Sequence, residues 1–344
     1  MNDIVASAEK VSKNFRTAPD FAEKLAIRLG AASPPPTVRA LDGVSVQVRR
    51  GEVLGVVGES GCGKSTLGRI MAGMLPASDG TVRRNGEDIA TLRGAAAKRA
   101  RLATQIIFQD PMSSLNPRKR VGEIIGEAPR VHGLTPRTEV PALVAELLKT
   151  VGLDPAMADR FPHQFSGGQR QRIGIARALA VKPDFLICDE SIAALDVSIQ
   201  AQVINLFMDL RRDFGLTLMF ISHDLGVVRH IADRVVIMYL GRVVEVAEAD
   251  TVFEAPRHPY TVALLDEIPR IDRRARRFSA IKGEIPSPLN PPPGCHFHPR
   301  CPHAFDRCRV ERPALTTLAP GLDVACHLND GRGLSPEQQE PKGD

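Results

Sequence analysis

Gly58-Glu59-Ser60-Gly61-Cys62-Gly63-Lys64-Ser65-Thr66 decides how this chain is read. The run fits G-x-x-x-x-G-K-[ST], a loop that cradles phosphate groups. Its flanks agree. Val53-Leu54-Gly55-Val56-Val57 ahead of it has the apolar character of a short buried strand, and Leu67 to Leu75 behind it predicts a helix. Glycines let backbone N–H groups turn inward around phosphate oxygens, and a helix N-terminus adds partial positive charge. In this motif Lys64 reaches the β- and γ-phosphates and Ser65 holds Mg²⁺. Gly58, Ser60, Gly61, Cys62, Gly63 and Thr66 complete the lining. A chance glycine-rich turn is the alternative, and the strand and helix on either side argue against it. The loop alone implies a nucleotide. What is done with the nucleotide has to come from elsewhere in the chain.

The chain of 344 residues is long enough for a large core and two units of structure. Apolar residues make up 43% and charged residues 25%, the balance of a soluble globular protein. The net charge of +5 suits a membrane surface or nucleic acid, but an ordinary solvated surface explains it as well. No uncharged apolar run reaches the roughly 18 residues that span a bilayer. Met1-Asn2-Asp3 has no basic character and Glu9-Lys10 interrupt any apolar run, so no secretory signal is expected and the protein is placed in the cytoplasm. Six cysteines in that compartment point to metal or packing roles rather than disulfides.

In chain order, residues 1–16 read as a strand and 17–37 as an insertion, with a short helix from Asp20 to Leu29 and a stiff Ser33-Pro34-Pro35-Pro36 connector. Val38 to Val48 resumes strand character. Gly80-Thr81-Val82 and Gly86-Glu87-Asp88-Ile89 suggest a small antiparallel portion, and 95–101 an exposed helix. Ile106-Ile107-Phe108 is a strand ending at Gln109-Asp110-Pro111. Val121 to Glu127 and Val140 to Val151 carry apolar residues at helical spacing. Phe165-Ser166-Gly167-Gly168-Gln169 then opens a basic helix. Phe185 to Cys188 is an apolar strand that ends in Asp189-Glu190. A helix near 198–214 leads to the strand Leu216 to Ile221, which ends in Ser222-His223-Asp224, and Val235 to Met238 and Val243 to Val246 are late strands. Alternating strands and helices, with polar residues at the strand ends, predict a mainly parallel sheet covered by helices. From about 254 proline becomes dense and Cys295, Cys301, Cys308 and Cys326 cluster, which reads as a separate C-terminal module with a disordered tail.

Phosphate loop, Gln109, Ser166-Gly167-Gly168-Gln169, Asp189-Glu190 and His223 stand in an order that resembles the nucleotide-binding subunit of ABC transporters. His258-Pro259-Tyr260-Thr261, Pro286-Ser287-Pro288 and Pro292-Pro293-Gly294-Cys295 resemble the C-terminal extension of oligopeptide and dipeptide importers, and Ser114-Leu115-Asn116-Pro117-Arg118 resembles the same subgroup. The resemblance implies an α/β fold: a P-loop ATPase core at 1–108 and 176–250, a helical subdomain at 109–175, an extension at 251–330 and a tail at 331–344.

In-line attack of water on a γ-phosphate needs charge neutralisation, a held water and a proton acceptor. Lys64 and the loop amides supply positive potential. Ser65 and Asp189 are the expected Mg²⁺ ligands, Asp189 through water, and the resemblance implies Gln109 as a further one. Glu190, where an apolar strand opens into the site, suits a general base. By resemblance His223 holds the γ-phosphate and Glu190, Gln109 is the switch glutamine, and Phe15 stacks on adenine. A core or surface residue is the plain alternative for His223 and Phe15. The Ser166-Gly167-Gly168 turn is a second anion-binding helix start, so the resemblance implies a head-to-tail dimer with ATP between one chain's loop and the partner's Ser166–Gln169, and with Asp196 at the interface. Ser191-Ile192 replaces the usual Pro-Thr and Phe165 the usual Leu; neither change touches Glu190.

The four late cysteines are spaced C-x5-C-x6-C-x17-C, unlike zinc ribbons or bacterial ferredoxins, and spacing alone leaves unligated thiols open. The extension resembles one that holds a 4Fe–4S cluster in some peptide importers; zinc is the other alternative. His296, His298, His303 and His327 are read as surface or supporting residues. Arg270, Arg273, Arg274, Arg276 and Arg277 form a basic run, commonly a solvated face and otherwise a lipid or subunit contact. The function expected from the resemblance is ATP hydrolysis that powers peptide uptake. The partners would be a second, non-identical ATPase chain, two transmembrane permeases and an extracellular or periplasmic peptide-binding protein, with this chain peripheral on the cytoplasmic face of the membrane. Nickel or opine cargo on the same machinery is the alternative. A soluble ABC ATPase acting on nucleic acid is less favoured, because only two Tyr and no Trp are present for base stacking.

Overall fold

Two long strands open the chain, β1 (Ile4–Arg16) and β2 (Thr37–Arg49), and they pair antiparallel through several register shifts. The computed structural model describes residues 3–16, 28–29, 36–110, 114–193, 195–267 and 283–329. The expected helix at Asp20–Leu29 (apart from its last two residues), nearly all of the proline connector, the basic run at 270–277 and the tail at 331–344 lie outside them.

After β3 (Val53–Val57) and helix α1 (Lys64–Met71), β4 (Asp79–Arg84) and β5 (Glu87–Asp88) complete a four-stranded sheet of order β2-β1-β4-β5. Helix α2 (Gly94–Ala103) buries no residue and leads into β6 (Thr104–Ile107). Among the described residues the α-helices α3 (Val121–His132), α4 (Val140–Thr150) and α5 (Gly167–Leu179) follow. Then come β7 (Phe185–Asp189), α6 (Val197–Phe214), β8 (Thr217–Ser222), α7 (Leu225–Ile231), β9 (Arg234–Tyr239) and β10 (Arg242–Glu248). The C-terminal part adds α8 (Ala249–Glu254), α9 (Pro259–Asp266), α10 (Asp306–Val310), β11 (Thr316–Ala319) and β12 (Leu322–Val324).

The main sheet has the order β11-β12-β10-β9-β3-β8-β7-β6. From β6 to β9 the pairings are parallel, and from β9 to β11 antiparallel. β3, β7, β8 and β9 are buried at every position, which is why they read as unbroken apolar runs: both faces of a parallel sheet are covered. The two-residue period of the strands divides the core. Val53, Leu186, Leu218 and Val235 face one cluster with Ile173 of α5, Val203 of α6 and Val228 of α7. Leu54, Ile187, Met219 and Val236 face the other, with Leu67 and Ile70 of α1 and Val5, Val11 and Val44 of the first two strands. Thus α1 is held between the two sheets, and the loop before it has little freedom to move as a whole.

The C-terminal part is not set apart from the core. β12 pairs with β10 through Glu245↔Val324 and Val246↔Asp323, so the β11–β12 hairpin extends the main sheet. Composition signalled a change of segment, but it carries no information on which edge the segment covers.

Candidate functional site

β3, β7 and β8 end at one edge of the sheet. Val57 lies beside Ser222, and Asp189 beside Ile221. The phosphate-loop motif, Asp189-Glu190 and His223 therefore leave the sheet side by side, in the crevice beyond the carboxyl ends where parallel sheets place ligands. Two glycines make the loop possible. Gly63 caps α1 at φ +105, and a Cβ there would lie 2.4 Å from Ala40 O; a Cβ on Gly58 would lie 2.2 Å from Met238 O. Backbone approaches on both sides, so no side chain fits.

Lys64 Nζ donates to the carbonyls of Gly58 (2.7 Å) and Glu59 (3.0 Å) and lies 4.0 Å from Glu190 Oε1. Ser65 Oγ donates to Asp189 Oδ1 at 2.6 Å. Asp189 is 4% exposed, and that burial raises its carboxyl pKa against the lowering effect of Ser65 and Arg69. Glu190 Oε1 is 3.7 Å from His223 Nδ1. Glu190 has φ +48, a left-handed conformation that costs a non-glycine residue about 1–3 kcal/mol and that clusters at functional sites. Its N–H donates to Ile221 O, which fixes it against β8. The pair Ser65–Asp189 and the chain Lys64–Glu190–His223 thus lie together at one edge of the sheet.

Gln109 lies two residues past the end of β6, whose Ile107 pairs with Cys188. This puts it at the same edge, with its side chain exposed. Ser60 and Gly61 are exposed at the loop tip, and Cys62 is a buried thiol whose pKa burial raises. Phe15 is 42% exposed near the end of β1, with Lys13 Nζ 5.3 Å above its ring. It pairs with Val38, two residues from the Ala40 carbonyl that abuts Gly63.

Ser166 caps α5. Its Oγ accepts from Gln169 N–H, while Gln169 Oε1 accepts from Ser166 N–H at 3.0 Å, a closed capping box. Ser166 and Gly167 are exposed; Gly168 packs so closely on Ile199 that a Cβ would meet its Cγ2 at 2.5 Å. Asp196, at the start of α6, is exposed as well. Ser191 and Ile192 are buried, and Ile192 O accepts from Leu195 N–H and from Gln200 Nε2.

Sequence reading missed the loop's link to the C-terminal segment. Arg300 makes two hydrogen bonds of 2.8 Å to the Glu59 carboxylate, and Glu59 N–H donates to Tyr260 Oη at 2.9 Å. Glu59 and Arg300 lie 241 positions apart, and no local signal joins them.

Cys295, Cys301, Cys308 and Cys326 line one cavity of about 10 Å³, closed by Phe297, Pro259 and Leu328. That is room for one water. Backbone N–H groups face three of the sulfurs: Phe297 and His298 toward Cys295, His303 toward Cys301, Leu328 toward Cys326. Burial pushes the Cys301 thiol up to about 11 and the Cys326 thiol to about 12 despite those donors. Among the described residues, no three His, Cys, Asp or Glu side chains converge to hold a metal ion. The zinc alternative finds no support in this geometry. The cluster expectation finds its four sulfurs around one cavity, but not open space between them. His296 instead faces Leu240 O, and His298 faces Cys295 O.

A family profile described as ABC transporter matches residues 41–193, and one described as the C-terminal region of oligopeptide/dipeptide transporters matches 244–308. The chain is 52% identical over 294 residues to "Probable peptide ABC transporter ATP-binding protein y4tS" of Sinorhizobium fredii, covering 85% of this chain and 83% of that one. It is 50% identical over 295 residues to the oligopeptide transport ATP-binding protein AppF of Bacillus subtilis, covering 85% and 90%. Its fold is similar to that of the ATP-binding cassette MJ0796, solved as a dimer in a post-hydrolysis state bound to ADP and Pi, with TM-score 0.59 and 25% identity over 71% of this chain and 98% of that one.

Proposed function

Because this chain belongs to the ATP-binding subunits of ABC transporters, in the group marked by the oligopeptide/dipeptide C-terminal region, we propose that it hydrolyses ATP to power peptide uptake through an ABC importer. The observation that carries the hydrolysis is the set Ser65–Asp189, Lys64–Glu190 and Glu190–His223, gathered within 2.6 to 4.0 Å at one sheet edge.

In this reading Lys64 and the loop N–H groups hold the β- and γ-phosphates. Glu190 accepts a proton from the attacking water, and its pinned backbone keeps the carboxylate aimed at that water. His223 holds Glu190 in position and donates toward the γ-phosphate. Phe15 stacks on the adenine. Ser65 and Gln109 directly, and Asp189 through water, would hold Mg²⁺, which when bound neutralises charge on the transferring phosphate. Support for the magnesium set is chemical: a buried carboxylate and a hydroxyl already face each other at 2.6 Å.

The exposed start of α5 is a second anion-binding helix end. We place it across the ATP of a partner chain, Ser166 to Gln169 facing the partner's phosphate loop, with Asp196 beside it. The partner is a second ATPase subunit, of different sequence. Two transmembrane permeases dock on the dimer and keep this chain peripheral on the cytoplasmic face, and a peptide-binding protein outside delivers cargo. Among the described residues no helix is long and apolar enough to cross a membrane. Residues 109–175 act as the lever that passes dimer closure to the permeases.

The cysteine quartet is assigned to a 4Fe–4S cluster, a structural or redox element outside the hydrolytic step. Its support is the resemblance of the extension, together with four sulfurs that line one apolar cavity, three of them facing backbone N–H donors. Uptake of a labelled dipeptide by cells lacking this chain tests the cargo: the wild-type chain restores it and Lys64→Ala does not. Restored nickel or opine uptake without peptide uptake contradicts peptide cargo. Anaerobically purified protein should carry about four iron and four sulfide per chain; zinc or neither contradicts the cluster.

A further inference from the structure

Glu59 places a carboxylate inside a loop whose ligand is a polyanion. Like charges in a partly desolvated site repel strongly, so this residue needs compensation. Arg300 supplies it with a two-pronged bond, Nη1 to Oε2 and Nη2 to Oε1, both 2.8 Å. The Arg300 side chain is 5% exposed and that of Glu59 17%, so solvent screens the pair little.

The arginine has little freedom. It belongs to a 3₁₀ turn at His298–Arg300, and its guanidinium lies 5.9 Å from the Tyr239 ring centre. Tyr239 in turn packs with Tyr260 and Phe297 in tilted and edge-on contacts, ring centres 4.7 to 5.3 Å apart. Tyr260 fixes the same loop residue a second time, accepting the Glu59 N–H. A third bond closes the link to chemistry, because Lys64 Nζ donates to Glu59 O at 3.0 Å. Displacing Glu59 displaces the partner of the phosphate-binding lysine.

We propose that Arg300 and Tyr260 are positioning residues of the ATP site: from the C-terminal extension they hold Glu59 and cancel its charge, and so set nucleotide affinity. The extension is then a working part of the nucleotide site as well as a cover for the sheet edge. This inference rests on the reading of Gly58–Thr66 as the phosphate loop.

The test is titration of the full chain with trinitrophenyl-ATP and Mg²⁺, with thermal melting followed in parallel. Arg300→Ala is expected to weaken binding roughly 2- to 30-fold, the range for changes that act on a site through intervening residues. Tyr260→Phe, which keeps the ring packing, is expected to weaken it in the same direction by less. Adding Glu59→Gln to Arg300→Ala removes the uncompensated carboxylate and is expected to recover part of the affinity, a non-additive result. Arg300→Ala that lowers the melting temperature while Kd stays at the wild-type value overturns the proposal. So does a double variant weaker than Arg300→Ala by the full effect of Glu59→Gln alone. If Arg300→Ala fails to fold, Tyr260→Phe decides, and an unchanged Kd there overturns the proposal. Lys64→Ala separates the premise: binding that survives it removes the phosphate-loop reading, whereas binding lost there but unchanged in Arg300→Ala removes only this inference.

Discussion

At the residue scale, the site depends on a few backbone positions as much as on its charged groups. Gly63 at φ +105 lies against Ala40 O, and Glu190 is held at φ +48. Gly63→Ala adds a methyl where backbone already sits and forces a left-handed alanine, a conformation that costs about 1–2 kcal/mol before the clash is counted. We expect it to lower the melting temperature and weaken ATP binding by at least about tenfold, the equivalent of 1.4 kcal/mol; normal binding measured by nucleotide titration contradicts the loop geometry. The glycines, Lys64, Ser65, Asp189, Glu190 and His223 were legible in the sequence because short-range spacing fixes the motif and strand-end position fixes the rest. Glu59 was visible as a loop position, but not as one end of an ion pair. Sequence distance carries no trace of Arg300, and buried pairing is a property of the folded chain alone.

At the element scale, strand ends do the gathering, and in the proposed function helix starts do the binding. β3, β7 and β8 were readable because burial on both faces makes apolar runs. The short hairpin β11–β12 was not, since β11 is exposed along its length and its apolar signal is weak. The start of α5 is the element with two duties. Its capping box stabilises the helix, and in the proposed dimer its exposed Ser166-Gly167 edge faces a partner. Ser166→Ala should cost about 1 kcal/mol of folding free energy, the usual worth of such a cap, seen as a small drop in melting temperature. It should cost much more in ATP-dependent association with the second ATPase chain, read by light scattering. Association at wild-type strength would leave the capping box as the sole role of Ser166.

At the scale of the whole molecule, one sheet carries both the nucleotide edge and the C-terminal cover. β9 and β10 lie between them, with Tyr239 at the end of β9 under Arg300 and Glu245 of β10 receiving Thr261 Oγ1 and the N–H groups of Arg257 and His258. The change in composition near 254 marks a boundary in sequence, yet the segments on either side share a core, because β10 needs an edge partner and β12 supplies it. In the proposed head-to-tail dimer the phosphate loop and the exposed α5 start of one chain serve different ATP molecules. In that proposal the chain is half of a site, and hydrolysis by Glu190 is the central claim. The most direct measurement is light-scattering mass and phosphate release for Glu190→Gln mixed with its partner ATPase chain and MgATP. The account predicts a stable ATP-bound dimer with phosphate release reduced roughly 10²- to 10⁴-fold, the share of a general base. Phosphate release at the wild-type rate from Glu190→Gln, or no association in the presence of ATP, would contradict it.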